Sequence, residues 1–235
     1  MKSVRWLGIA AAVVVMYVAA SSPAYADAVG SLSVANCSGG GVTITETTIT
    51  WLPAGTVAGT GCINTGAGTN VTYSGGTLSS GDTGNIMNLT AGGGAVDQFM
   101  TFQGTTLDFV LTVLGPGSVN TNCTGLALGA SCSAFVGSPF ILTNLGTSTI
   151  VSLSAGGTVT DGAISDWFGA FSTQVNATPA QLQSVLLGGG SVTSTQSGQF
   201  TVEGGIEPVP EPGSALLLII GLGSMIGVIR RKQVA

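Results

Sequence analysis

Between Arg5 and Arg230 the chain contains no lysine, arginine or histidine. Whatever folds in that interval has no side-chain salt bridge available. It must be held by apolar burial, backbone hydrogen bonds and covalent links. All ten acidic residues lie between Asp27 and Ile229, and all five basic residues lie outside those limits. A body of one charge sign has no Lys/Arg footprint for phosphates, which excludes nucleic acid as a partner. It also lacks the usual proton-transfer groups, so a Ser-His-Asp triad and a Ser-Lys dyad are both ruled out within it.

The apolar residues of this interval come in short runs punctuated by glycine, of which the chain has 38. Val42 to Trp51 is dense in β-branched residues and reads as one strand. Leu107, Phe109, Leu111 and Val113 alternate with Asp108, Val110 and Thr112, giving an apolar face at period two. Ile150 to Leu153, Trp167 to Val175 and Phe200 to Val202 read the same way, with Trp167, Phe171 and Val175 on one side. Gly75-Gly76, Gly92-Gly93-Gly94, Gly115-Pro116-Gly117, Gly156-Gly157 and Asp161-Gly162 read as turns between strands. Many short strands at this spacing predict an all-β fold, an antiparallel β-sandwich of jelly-roll or Ig-like type. One short helix is expected. Thr178 is its N-cap, Pro179 its first residue, Gln181 completes a capping box, and Gly188-Gly189-Gly190 ends it. Leu182, Val185 and Leu186 form its apolar stripe, which would cover one end of the sandwich.

The two ends of the chain are of a different kind. Lys2 and Arg5, an apolar run from Trp6 to Ala20 and the small-residue site ending Ala24-Tyr25-Ala26 make a secretory signal peptide over 1–26, cleaved after Ala26. The exported body is then 27–206 and the tail 207–235. Export places Cys37, Cys62, Cys123 and Cys132 in an oxidising compartment, where an even count favours two disulfides. Three pairings are open, and Cys37–Cys62 with Cys123–Cys132 is favoured because each pair brackets a turn-prone segment. With no histidine and no Cys-x-x-Cys spacing, a zinc site is not expected, and no calcium-loop spacing is present.

Little catalytic vocabulary is left. Asp161 and Asp166 beside Trp167 are the nearest thing to a glycosidase-type carboxylate pair. Yet Asp161-Gly162 reads first as a turn and Trp167 as a core aromatic. The body is therefore expected to be non-enzymatic, with no catalytic residue, cofactor or metal. A second reading makes it a carbohydrate-binding module, with Trp51, Tyr73 and Trp167 as exposed rings stacking on extracellular polysaccharide.

The tail is the most specific segment. Residues 214–229 carry no charge, and at about 1.5 Å per residue they span roughly 24 Å, near the thickness of a hydrocarbon core. Arg230, Arg231 and Lys232 follow as a stop-transfer cluster, which places this end in the cytoplasm and the body outside the inner membrane. Before the span, Pro208, Val209, Pro210, Glu211 and Pro212 favour an extended, solvated strand marked by one carboxylate. Val209-Pro210-Glu211-Pro212, the apolar span and the basic end together resemble the PEP-CTERM sorting signal, also known as the ice-binding protein C-terminal domain. The resemblance implies export, transient membrane insertion through one C-terminal transmembrane helix, and processing by an exosortase that recognises Pro210, Glu211 and Pro212. It further implies release to the cell surface or extracellular polymer. It does not extend into the body.

Overall fold

A computed structural model describes residues 27–90 and 94–205. Within them the strands are β1 (Val29–Asn36), β2 (Gly41–Ile44), β3 (Thr48–Leu52), β4 (Thr60–Thr65), β5 (Asn70–Tyr73), β6 (Gly76–Ser79), β7 (Thr83–Met87) and β8 (Leu89–Thr90). They continue as β9 (Val96–Phe102), β10 (Asp108–Leu114), β11 (Ser131–Cys132), β12 (Phe140–Asn144), β13 (Thr149–Thr160) and β14 (Ile164–Val175). The helix α1 (Pro179–Leu187) precedes β15 (Val192–Ser194) and β16 (Ser197–Glu203).

The fold is mostly β with one short helix, but it is not the expected sandwich. Eight antiparallel strands run β10-β9-β7-β4-β1-β16-β14-β13, and β13 pairs back onto β10 to close a barrel. Closure depends on the length of β13. Its first half pairs with β12 (Phe140↔Leu153), and its second half pairs with β10 (Phe109↔Val159). Gly156 and Gly157, expected to form a turn, instead lie inside this strand at the seam. A Cβ on Gly157 would stand 1.9 Å from the Val110 carbonyl oxygen, so the two strands approach only because that position has no side chain. Closure leaves the eight barrel strands themselves without a free edge.

The barrel interior is filled by side chains. Trp167, Phe99 and Phe109 are fully buried, and Trp167 lies within 6.1 Å (centroid to centroid) of Phe99, Phe109 and Phe200. The indole Nε1 of Trp167 donates to the carbonyls of Val110 and Thr158, at 3.0 and 3.1 Å. One tryptophan thereby bridges the closing strands. Burying its only polar atom unpaired would be costly, and the seam carbonyls remove that cost. Leu32 and Val34 from β1 and Phe200 and Val202 from β16 face the same interior.

A second sheet, β15-β2-β3-β8, lies against the β12–β14 side. Its buried residues Val42, Ile44, Ile49 and Trp51 meet Phe140, Val151, Leu153 and Phe171 across a cavity of only 20 Å³. The expected single strand Val42–Trp51 is in fact the β2–β3 hairpin. Thr45 makes the turn: its Oγ1 accepts from the backbone N–H groups of Thr47 and Thr48, and its own N–H donates to the Thr48 carbonyl. Threonine thus acts here through its hydroxyl and not through its strand preference. The face Leu107, Phe109, Leu111 is buried as expected, but Val113 is exposed, because the register against β13 shifts between Leu111 and Val113.

The helix forms as its caps dictate. Thr178 Oγ1 accepts from the Gln181 N–H, and the Gln181 side chain accepts from the Thr178 N–H. Leu182 and Leu186 are buried, but Val185 is exposed, so the packed stripe is narrower than expected. Among the described residues no helix is long and apolar enough to cross a membrane, and the expected span 214–229 lies outside them.

Candidate functional site

The expected sorting residues Val209, Pro210, Glu211 and Pro212 and the stop-transfer residues Arg230, Arg231 and Lys232 lie outside the described residues. The signal cleavage residue Ala26 lies outside them as well. What the structure places is the point from which each end leaves the body. β1 begins next to the end of β16, with Gly30 opposite Val202. Beyond β16, a Cβ on Gly204 would lie 3.0 Å from Asp27 Oδ2, and one on Gly205 would lie 2.5 Å from the Ile164 carbonyl oxygen. Both ends of the barrel chain therefore emerge at one corner, beside the β13–β14 turn.

Both disulfides are present in sequential pairing, Cys37–Cys62 and Cys123–Cys132, with Cα–Cα separations of 5.5 and 5.4 Å. Cys37–Cys62 joins the end of β1 to β4 at a point where Asn36 also ties the sheets together. The Asn36 side chain donates to the carbonyls of Gly41 and Leu52 and accepts from the Gln196 N–H. Cys123–Cys132 closes a loop docked on α1, whose Gln183 donates to the carbonyls of Thr121 and Ala134.

The three aromatics read as a sugar platform are core residues. Trp51, Tyr73 and Trp167 are 2%, 8% and 1% exposed. Trp51 Nε1 is bound to the Met87 carbonyl, and its ring stands 5.0 Å from Phe171. No face of these rings is free to stack on a ligand, so the carbohydrate reading loses the residues that carried it. Among the described residues the half-exposed ring is Phe168, on the barrel's outer wall opposite Gly156.

The Asp161 and Asp166 pair does not converge. Asp161 stands in the β13–β14 turn, where Gly162 adopts φ 111°, and its Oδ2 accepts from the Ser74 N–H at 2.7 Å. Asp166 points outward from β14, between Thr158 and Glu203 on the neighbouring strands, while Trp167 points inward. The strand's alternation separates the acid from the aromatic that follows it.

A different acid pair does meet. The β9–β10 hairpin brings Asp97 close enough to Asp108 to act on it, beside a bulge where Gln98 has φ 53°. Burial raises the Asp108 pKa, Asp97 raises it further, and a backbone hydrogen bond from Gln98 opposes both. The only sequence sign of this was the two acids flanking a hairpin, and the bulge that aligns them has no motif. Among the described residues no three Asp, Glu, His or Cys side chains group as metal ligands do. A cleft of 550 Å³ lies between the loops 114–121 and 135–139, and its sole ionisable group is Glu46. It has neither an acid–base pair nor a nucleophile with an activating partner.

No curated protein and no solved structure matches this chain. One family model does, over residues 208–233, and it is the PEP-CTERM protein-sorting motif. The matched segment holds Pro210, Glu211 and Pro212, the uncharged span and the basic cluster. The chain thus carries a PEP-CTERM sorting motif as its C-terminal segment, directly after the strand that ends the barrel.

Proposed function

We propose that this is an exported protein whose C-terminal motif presents it to an exosortase, and whose barrel is a non-catalytic structural body for the cell surface or extracellular matrix. The match over residues 208–233 carries the sorting half of this reading. The body half is supported by the side-chain-filled barrel, the two disulfides and the absence of any cation between Arg5 and Arg230. A filled barrel has no lumen for a ligand. A body with one charge sign repels its own kind and stays soluble once outside the cell.

The test of sorting is to replace Pro210, Glu211 and Pro212 by alanine in cells that make an exosortase. The native protein is expected to lose its tail and leave the inner membrane, while the alanine variant keeps its full mass and remains in the membrane fraction. A native protein that keeps the whole tail as a permanent anchor would overturn the reading. For the body, polysaccharide turnover by the purified protein that disappears in Asp161→Asn or Asp166→Asn would do the same.

A further inference from the structure

Asp27 and Asp161 each have one carboxylate oxygen, Oδ1, that is buried with no hydrogen-bond partner. Both lie at the corner where the two ends of the barrel chain emerge. Asp27 packs on Gly204, and β1 starts opposite Thr72, two residues before the Ser74 whose N–H holds Asp161. Asp166 and Glu203, paired across β14 and β16, add two more carboxylates to this end. Tyr73 is the other titratable group here, and it is buried. Nothing within the body can neutralise these acids, because no basic side chain occurs between Arg5 and Arg230. Orphaned buried acceptors of this kind call for a donor.

We propose that cleavage before Asp27 supplies that donor, creating an α-ammonium that is the body's sole cation and pairs with the orphaned Oδ1 of Asp27 at this corner. The inference rests on the export reading above. Hydrolysis of the Ala26–Asp27 peptide bond adds water: the hydroxyl goes to the Ala26 carbonyl carbon and the proton to the Asp27 nitrogen. A neutral amide with one N–H becomes an amine that is protonated below a pKa of about 7.7–8.0 in an unfolded chain. Its nitrogen is three bonds from the Asp27 carboxyl carbon, within reach of Oδ1. Ala28, the next residue, is fully buried and anchors the new terminus. Signal removal on this account both frees the body and completes its electrostatics.

The sign follows from the partner's charge. Surrounding carboxylates raise the folded-state pKa of the amine, so its stabilisation is present at pH 6 and lost as pH rises through the folded value. The test uses the secreted protein. Intact mass is expected to place its first residue at Asp27. Amine-directed acetylation then modifies only the α-amine within the body, because Lys232 is the one other amine a cleaved chain can keep, and mass distinguishes it. Acetylation is expected to lower Tm by about 2–4 °C at pH 6 and to leave it unchanged at pH 10. In the Asp27→Asn protein the drop at pH 6 should be smaller than in the native protein, with no change at pH 10. A different first residue, an unchanged Tm at pH 6, or an equal drop at both pH values would each overturn the proposal. Retention of the tail, read in the same mass spectrum, bears on the sorting reading alone.

Discussion

Trp167 shows how much of this body hangs on single side chains. Its ring is packed among Phe99, Phe109 and Phe200, and its Nε1 joins the two strands that close the barrel. Trp167→Ala leaves a cavity and removes the Nε1 bonds to both seam carbonyls, so a loss of about 3–5 kcal/mol in denaturant unfolding is expected. Gly198 is its opposite in size. A Cβ there would stand 2.6 Å from Phe200 and 2.9 Å from both Phe171 and Val34, so Gly198→Ala should cost about 1–3 kcal/mol through overpacking. Asp108 has a pH signature. Its pKa is raised in the folded protein, so its contribution favours the fold at low pH and is lost as pH rises through the folded value. Asp108→Asn should therefore raise Tm at pH 7, and the gain should shrink on titration toward pH 3, where the native carboxyl is also neutral.

At the scale of elements, the covalent staples and the caps are separable. Cys37–Cys62 closes a 25-residue separation and Cys123–Cys132 one of 9. In the chain-entropy model these are worth about 3.5 and 2.7 kcal/mol. Replacing each pair by serine and comparing denaturation midpoints should rank them in that order. Thr178→Ala, which removes one half of the capping box, should cost about 1 kcal/mol and act on α1 alone. The capping box was legible because each of its parts is local in sequence. The β2–β3 hairpin was not, because Thr45 serves as a turn residue only when a strand partner is there to return to. Gly156-Gly157 misled for the same reason. A glycine pair is a turn in isolation, and in β13 it is a contact surface for β10.

The whole molecule divides into a body that holds itself together without side-chain ion pairs and a tail with its own address. Replacement of Pro210, Glu211 and Pro212 tests the address, and the body's Tm should not change in that variant, because the barrel is complete by Glu203. From sequence alone came the sorting motif, the β class, the capped helix and the one-signed charge. Each depends on composition or on residues within a few positions of one another, so no knowledge of distant neighbours is required. Tertiary structure alone decided that the sheet closes, that Trp51, Tyr73 and Trp167 turn inward, that Asp161 and Asp166 part, and that Asp97 meets Asp108. These outcomes follow from strand register and from which residues approach across a seam, and a period-two pattern reads the same in an open sandwich and in a closed barrel.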